Sequence, residues 1–145
     1  MNRRSLGLYI HIPYCINKCG YCDFNSHPVN TPEMVNYVNA LYHEIAARAR
    51  AMKDRSISSI FVGGGTPTTL PIYHLKGILK HCKNKLNVEP NIEITLEANP
   101  GEAPLQHLKD IRNLGVNRLS MGFQSFDDKI LGLLGRLHKS KDCFK

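Results

Sequence analysis

Short apolar runs alternate along this chain with longer segments in which apolar residues recur every three or four positions. The short runs are rich in isoleucine, valine and leucine, and they predict buried β-strands at residues 8–12, 57–62, 92–97 and 116–121. The longer segments repeat with the period of an α-helix and predict helices at residues 31–52, 71–86, 105–114 and 127–134. The predicted order of elements is therefore βαβαβαβα.

Local signals support the first and third of these helices. Thr31 is the predicted N-cap of the first helix, with Pro32 in the first turn and the acidic Glu33 beside the positive end of the helix dipole. Gly115 ends the third helix. The first helix carries one apolar stripe suited to packing against a sheet, formed by Met34, Val38, Leu41, Ile45, Ala49 and Met52.

Strands that alternate with helices form parallel sheets with right-handed crossovers, either as a barrel or as an open doubly wound sheet. Polar motifs follow each of the four predicted strands: a cysteine loop, a glycine run, Glu97 with Asn99, and Gln124 with Ser125. In a (β/α) barrel the active site lies at the carboxyl ends of the strands and takes residues from many of them. An open sheet concentrates its site at one point. We therefore predict an α/β fold, a partial (β/α) barrel made of its first four βα units.

The chain, at 145 residues, is short for this architecture. Because a complete (β/α) barrel takes about 250 residues, residues 1–145 are expected to form the N-terminal part of a larger core domain. The last predicted strand would then be a bare sheet edge, and such an edge is a predicted site of aggregation.

Charge and cysteine content narrow the classes of function. The net charge is +7, but the lysines and arginines are scattered, without the basic run that marks nucleic-acid contact. The apolar segment 6–12 is too short for a membrane span or a signal peptide. Five cysteines without an export signal favour reduced thiols or metal ligands in the cytoplasm. A predicted core position on one helix face is Cys82, beside Leu75, Ile78, Leu79 and Leu86.

Three closely spaced cysteines, Cys15, Cys19 and Cys22, carry the strongest chemical signal. Their spacing is C-x3-C-x2-C, and a four-iron cluster held by three thiolates keeps one iron without a protein ligand. Thioredoxin-like motifs use C-x2-C alone, and zinc knuckles pair with a second Cys or His pair that this sequence lacks. A zinc site made of the three cysteines with His11 or His27 stays open as an alternative.

Two further motifs follow the second and third strands. Gly63, Gly64 and Gly65 remove side chains, so a ligand can approach the backbone closely, although a tight strand-to-helix turn is an equally good reading of the run alone. No Lys-Ser or Lys-Thr follows, which excludes a phosphate P-loop. Glu97 ends an apolar strand, where a carboxylate needs a hydrogen-bond donor such as a bound ligand would supply.

Five blocks of sequence together resemble the radical S-adenosylmethionine (SAM) superfamily, and within it the branch of oxygen-independent coproporphyrinogen III oxidase and HemW-type haem chaperones. The resemblance spans residues 9–138. The blocks are Tyr9-Ile-His-Ile-Pro13 with the cysteine motif, Val62-Gly-Gly-Gly-Thr-Pro-Thr68, Glu97-Ala-Asn-Pro100, Ser120-Met-Gly-Phe-Gln-Ser-Phe126 and Leu134-Gly-Arg-Leu-His138. The oxidase has a fourth cysteine two positions after the third and a longer segment before its cluster. This chain has Phe24 at that position and its first cysteine already at Cys15, so both differences favour the HemW type.

The resemblance implies a [4Fe-4S] cluster on Cys15, Cys19 and Cys22, with SAM bound at the open iron. Arg136 would pair with the SAM carboxylate through its planar fork; its alternative role is to satisfy the last carbonyls of the preceding helix. His11 and His138 lie inside the matching blocks, where a supporting or haem-side role is open. The positions that match the SAM contacts of the family are Tyr9, Tyr21, Gly64, Gly65, Thr66, Glu97, Gln124 and Arg136.

The resemblance also implies partners. We predict a protein that delivers haem to client proteins, with haem or a porphyrin as a further ligand and an electron donor for the cluster. The alternatives are an oxygen-independent coproporphyrinogen III oxidase, which carries out a radical decarboxylation, and a structural zinc-binding module. Whether the full-length relative is an enzyme stays open. The 145-residue chain alone is expected to assemble a cluster poorly and to bind SAM weakly, because the strands that close the barrel are missing.

Overall fold

The computed structural model describes residues 4–144, so residues 1–3 and 145 of the predicted domain lie outside the described residues. In chain order the strands are β1 (Arg4–Ile12), β2 (Tyr14–Cys15), β3 (His27–Pro28), β4 (Arg55–Gly64), β5 (Val88–Ala98) and β6 (Arg118–Met121). The α-helices are α1 (Thr31–Ala51), α2 (Ile72–Lys85), α3 (Leu105–Asn113) and α4 (Asp128–Leu133). Two 3-10 helices span Pro67–Thr69 and Ser140–Phe144.

The main sheet has the strand order β1-β4-β5-β6, and each of its pairings is parallel. A helix joins each strand of this sheet to the next, as the predicted βα repeat requires. The first four units of a partial (β/α) barrel are therefore confirmed. The short strands β2 and β3 pair with each other in a separate parallel ribbon. The sequence did not predict this ribbon, because two residues are too few to form a hydrophobic pattern.

The main sheet has one apolar face, which forms the core, and one face that carries polar and aromatic side chains. Ile12 and Leu96 are fully buried, and they belong to one core cluster with residues of α1, α2 and α3. The strand register aligns Tyr9 with Phe61 and Phe61 with Thr95. Since neighbours in register point the same way, these three side chains share the opposite face, toward the interior of the partial barrel.

The first helix begins with a different cap from the one predicted. Asn30 is the N-cap, and its side-chain oxygen accepts a hydrogen bond from the backbone N–H of Glu33 at 3.4 Å. Thr31 is instead the first helical residue, so the prediction of Thr31 as the cap was wrong. Asparagine and threonine both favour this position, and the sequence offers them side by side. Three members of the predicted apolar stripe are buried in the core: Met34, Val38 and Ile45.

Cys82 confirms the prediction of a core residue. Its side chain, in α2, has no exposed surface, and burial raises the pKa of its thiol to about 11. Because thiolates are the reactive form of cysteine, this side chain acts as a small apolar core residue.

The last strand, β6, is a sheet edge within residues 4–144, since it pairs only with β5. Apolar side chains are exposed around it and the following helix: Leu119, Phe126, Ile130, Leu133, Leu137 and Phe144. This exposure agrees with the predicted bare edge, and aggregation there stays a prediction. Among the described helices, none is both long enough and apolar enough to cross a membrane.

Candidate cluster and cofactor site

A cavity of about 530 Å³ lies at the carboxyl edge of the main sheet. Its wall takes residues from the cysteine loop after β1, the glycine run at the end of β4, and the segments that follow β5 and β6. The predicted site residues on this wall are Cys15, Cys19, Tyr21, Cys22, Gly64, Gly65, Thr66, Glu97, Gln124 and Arg136. The fold therefore gathers motifs that are up to 121 positions apart in the sequence, from Cys15 to Arg136.

Backbone hydrogen bonds hold the cysteine loop against the end of β4. The N–H of Gly65 donates to the carbonyl of Ile12 at 2.7 Å, and the N–H of Thr66 donates to the carbonyl of Tyr14 at 2.7 Å. Inside the loop, the ammonium group of Lys18 donates to the carbonyl of Ser26 at 2.9 Å. The same ammonium group reaches the carbonyl of Phe24 at 3.2 Å. The loop is thus organised by this chain's own groups, before any ligand is considered.

Polar donors approach two of the three site sulfurs. The hydroxyl of Thr66 lies 3.8 Å from Sγ of Cys15, and Nη1 of Arg136 lies 3.5 Å from Sγ of Cys19. Hydrogen bonds to thiolate sulfur favour the charged form that binds iron. All five cysteines are thiols, without disulfides among residues 4–144.

The zinc alternative requires a histidine near the thiols, and both nitrogens of His11 already have partners. Nδ1 is 2.9 Å from the hydroxyl of Tyr9, and Nε2 is 2.8 Å from the carbonyl of Asn25. The other candidate, His27, packs edge-on against the ring of Tyr14. Within the described part of the chain, no three His, Cys, Asp or Glu side chains are gathered around a point where a single metal ion would sit. A four-iron cluster does not require its ligands to meet at one point, because each thiolate binds a different iron.

The glycine run is packed so closely that larger side chains do not fit. A Cβ atom on Gly65 would lie 2.5 Å from the carbonyl oxygen of Tyr14 and 2.9 Å from Sγ of Cys15. A Cβ atom on Gly64 would lie 2.6 Å from the ring of His11, and the φ angle of Gly64 is +119°. Glycine is therefore required at these positions by close packing. Gly64 and Gly65 also lie on the wall of the cavity.

The carboxylate of Glu97 accepts a hydrogen bond from another residue of this chain. Its Oε2 accepts a hydrogen bond from the backbone N–H of Gly64 at 2.9 Å. The sequence indicated that a buried carboxylate here needs a donor, and the glycine run supplies one. The bond also joins the ends of β4 and β5 at the cavity wall.

Tyr9 lies beside the main cavity and not on its wall. Its ring stacks on Phe61 with centroids 6.0 Å apart, and it lines a second cavity of about 360 Å³ together with His11. Burial, and then the nearby carboxylate of Glu97, raise the pKa of Tyr9. The proximity to Glu97 places Tyr9 next to the site on the inner face of the sheet.

Arg136 reaches into the site and not toward the end of α4, the helix that precedes it. Nη2 of Arg136 donates to Oδ1 of Asn99 at 2.6 Å and to the carbonyl of Gly122 at 2.7 Å. Its Nε is buried without a partner among the described residues. The alternative role at the last carbonyls of α4 is therefore not what the side chain does. The unpartnered N–H leaves capacity for a ligand.

Asn99 is a central residue that the sequence placed at this edge without assigning a contact. Its Nδ2 donates to Oγ1 of Thr66 and to Oε2 of Glu102, both at 3.0 Å. Together with the Arg136 bond, these contacts link the sulfur of Cys19 to the sulfur of Cys15 through Arg136, Asn99 and Thr66. An asparagine at the end of a buried strand was the only local signal, and it does not reveal partners so far away in sequence.

Replacing Asn99 with leucine is expected to lower the free energy of unfolding by about 1–3 kcal/mol, since Arg136 and Thr66 would lose a partly buried hydrogen-bond partner. Urea unfolding measures the change. The matched control is Asn84→Leu at an exposed position of α2, which should have little effect. Equal stability of the two variants would show that the Asn99 contacts contribute nothing.

Known proteins share sequence and fold with this chain. The sequence profile of the Radical SAM superfamily matches residues 9–145. The heme chaperone HemW of Haemophilus influenzae is 44% identical over 144 residues, and that of Escherichia coli is 41% identical over 140 residues. Both alignments cover 95% of this chain and 37% of the relative. The mouse mitochondrial radical S-adenosyl methionine domain-containing protein 1 is 38% identical, with 95% of this chain and 31% of that protein covered.

Two solved structures share the fold. Coproporphyrinogen III oxidase (HemN) from Escherichia coli, a radical SAM enzyme, matches with a TM-score of 0.90 and 33% identity, covering 98% of this chain and 33% of that one. Elp3 from Methanocaldococcus infernus matches with a TM-score of 0.62 and 16% identity, covering 96% of this chain and 33% of that one. At this low identity the second match shows the shared fold alone.

Proposed function

The chain belongs to the radical SAM superfamily, and from this membership we propose that Cys15, Cys19 and Cys22 hold a [4Fe-4S] cluster beside a binding site for SAM. The observation that carries the proposal is the cavity of about 530 Å³, which gathers the three thiols with the matched SAM-contact positions Gly64, Glu97 and others. Three thiolates leave one iron of a cube free of protein ligands. That iron is where SAM would bind.

The residues on the wall fit these ligands chemically. Gly64 and Gly65 both lie on the cavity wall and carry no side chain that a bound molecule would meet. Arg136 offers a buried Nε–H that has no partner among residues 4–144 and is suited to a carboxylate such as that of SAM. Thr66 and Arg136 donate toward two of the sulfurs. When bound, the cluster would supply one electron for reductive cleavage of SAM.

The finer proposal is that this chain is the cluster-bearing part of a HemW-like haem chaperone. The named bacterial relatives are heme chaperones, and the chain spans 37% of their length. Phe24 lies two positions after Cys22, where a chain of the oxidase type is expected to carry a fourth cysteine. On this proposal the partners are haem or a porphyrin, client proteins that accept haem, and an electron donor. Residues 1–145 form the N-terminal part of the core domain, and the location is cytoplasmic.

The second candidate is oxygen-independent coproporphyrinogen III oxidase. The structural match to HemN, with a TM-score of 0.90, favours it. Protoporphyrinogen formed under anaerobic conditions by the reconstituted chain, with SAM and a reductant, would establish this candidate and overturn the chaperone proposal. We expect no product, because Phe24 stands at the position where the oxidase is expected to carry a fourth cysteine.

Anaerobic reconstitution with iron and sulfide tests the cluster itself. We expect a four-iron electron paramagnetic resonance (EPR) signal after reduction, with a shift when SAM is added, because SAM would ligate the open iron. The yield and the SAM affinity are expected to be low for the chain alone. The variant with alanine at positions 15, 19 and 22 should take up no iron, whereas Cys143→Ala should behave as the unaltered chain. One equivalent of zinc without iron uptake would refute the proposal.

A further inference from the structure

The turn after β6 holds Gln124 in a conformation that residues with a Cβ atom rarely adopt. The φ angle of Gln124 is +55°, in the left-handed region. Gln124 also lies on the wall of the main cavity. Such a backbone conformation persists only where its surroundings impose it. The structure around this turn should therefore contain the groups that hold it.

Besides the backbone N–H of Ser125, which donates to the carbonyl of Phe123 at 2.6 Å, two side chains from the segment 135–138 contact this turn. Nη2 of Arg136 donates to the carbonyl of Gly122 at 2.7 Å, and Nε2 of His138 lies 3.1 Å from the carbonyl oxygen of Phe123. A carbonyl oxygen can only accept, so the hydrogen is on Nε2 of His138. The carbonyl of Phe123 belongs to the peptide that leads directly into Gln124. Consecutive carbonyls before the strained residue are thus both held from the same segment.

The carbonyl of Phe123 is the hydrogen-bond partner of the His138 side chain among residues 4–144. Its side chain is only 5% exposed, and a buried imidazole is unfavourable unless it is hydrogen-bonded. The same segment also contacts the cysteine loop, because Nδ2 of Asn17 donates to the carbonyl of Gly135 at 3.0 Å. Residues 135–138 therefore connect the cysteine loop with the turn that carries Gln124.

We propose that His138 is a positioning residue: its Nε2–H fixes the peptide between Phe123 and Gln124, and thereby keeps the Gln124 side chain on the wall of the SAM site. His138 does not itself line the cavity. Its effect on a ligand is transmitted through the backbone of Gln124. The statement about SAM rests on the proposed function, whereas the backbone role does not.

Two substitutions separate the hydrogen bond from simple packing. His138→Leu removes the donor. His138→Gln keeps a donor, because the amide nitrogen of glutamine is separated from Cα by the same number of bonds as Nε2 of histidine. In isothermal titration of SAM into the reconstituted chain, His138→Leu should weaken binding about tenfold, as the loss of one buried hydrogen bond implies. His138→Gln should remain within about threefold of the unaltered chain. The control His43→Leu, at an exposed position of α1, should change nothing.

The backbone role is tested without SAM by urea unfolding in a second background. Glycine adopts φ near +55° without strain, so in Gln124→Gly the turn no longer needs to be held. We expect His138→Leu to lower the urea midpoint clearly less in this background than in the unaltered chain. Equal losses in both backgrounds, or a His138→Gln variant as damaged as His138→Leu, would overturn the proposal. If no variant binds SAM, the proposed SAM site is refuted for residues 1–145 taken alone, and the urea comparison still decides the role of His138.

Discussion

Replacing Gly64 with alanine is expected to lower the free energy of unfolding by about 2–6 kcal/mol and to prevent iron uptake. Two independent costs add. The φ angle of +119° is unfavourable for any residue with a Cβ atom, at about 1–3 kcal/mol. The new atom would also lie 2.6 Å from the ring of His11 and 2.9 Å from the carbonyl oxygen of Ile12, an overpacking that costs about 1–3 kcal/mol more.

The effect on iron follows from the position of Gly64 between two parts of the site. Its N–H donates to Glu97, and His11, which the new Cβ would displace, bonds to the carbonyl of Asn25 in the cysteine loop. Urea unfolding and iron content after reconstitution measure the two effects. The matched control is Gly132→Ala in α4, where a Cβ meets open space and alanine should stabilise the helix by about 0.5–1 kcal/mol. A Gly64→Ala chain that takes up iron normally would refute the packing argument.

Replacing Leu96 with alanine is the second change with a large expected effect. Leu96 has no exposed surface and lies in β5, in the core cluster between the sheet and the helices. Large-to-small substitutions at such sites lower the free energy of unfolding by about 2–5 kcal/mol, because a cavity remains. Since native domains are stable by only about 5–15 kcal/mol, this change removes much of the total. The midpoint of urea unfolding should fall accordingly.

The control for Leu96 is Leu133→Ala, because Leu133 in α4 is 88% exposed. Alanine favours helices slightly more than leucine does, so the midpoint should change little. If Leu133→Ala destabilised the chain as much as Leu96→Ala, Leu133 would have to be buried in solution. An interface between copies at the β6 edge would be one cause, and sedimentation would detect it.

Hydrophobic spacing was sufficient to predict the main elements of this fold. The strands and helices of the main sheet were expected within a few residues of their observed bounds, since buried strands and amphipathic helices leave different periods in the sequence. What the spacing could not decide were choices between similar residues. Asn30 and Thr31 are both good caps, and the geometry of the turn before α1 selects Asn30.

The sequence predicted which residues lie around the candidate site better than it predicted the hydrogen bonds between them. The motifs after successive strands must meet at one edge of a parallel sheet, and they do so on the cavity wall. Pairings such as Arg136 with Asn99, 37 positions apart, depend on loop conformations that leave no local pattern. Tyr9 shows the same limit, because its place beside the cavity follows from the register of β1 with β4. The roles of these residues toward SAM stay predictions.

The buried thiol of Cys82 has a practical consequence for following the site by chemical modification. With its pKa near 11 and no exposed surface, Cys82 is protected from alkylating reagents for as long as the chain is folded. The remaining cysteines are the three of the site and Cys143. Once Cys143 is removed by mutation, native-state alkylation therefore reports on the partly exposed Cys19 and Cys22, whereas labelling of the buried Cys15 and Cys82 reports opening or unfolding of the chain.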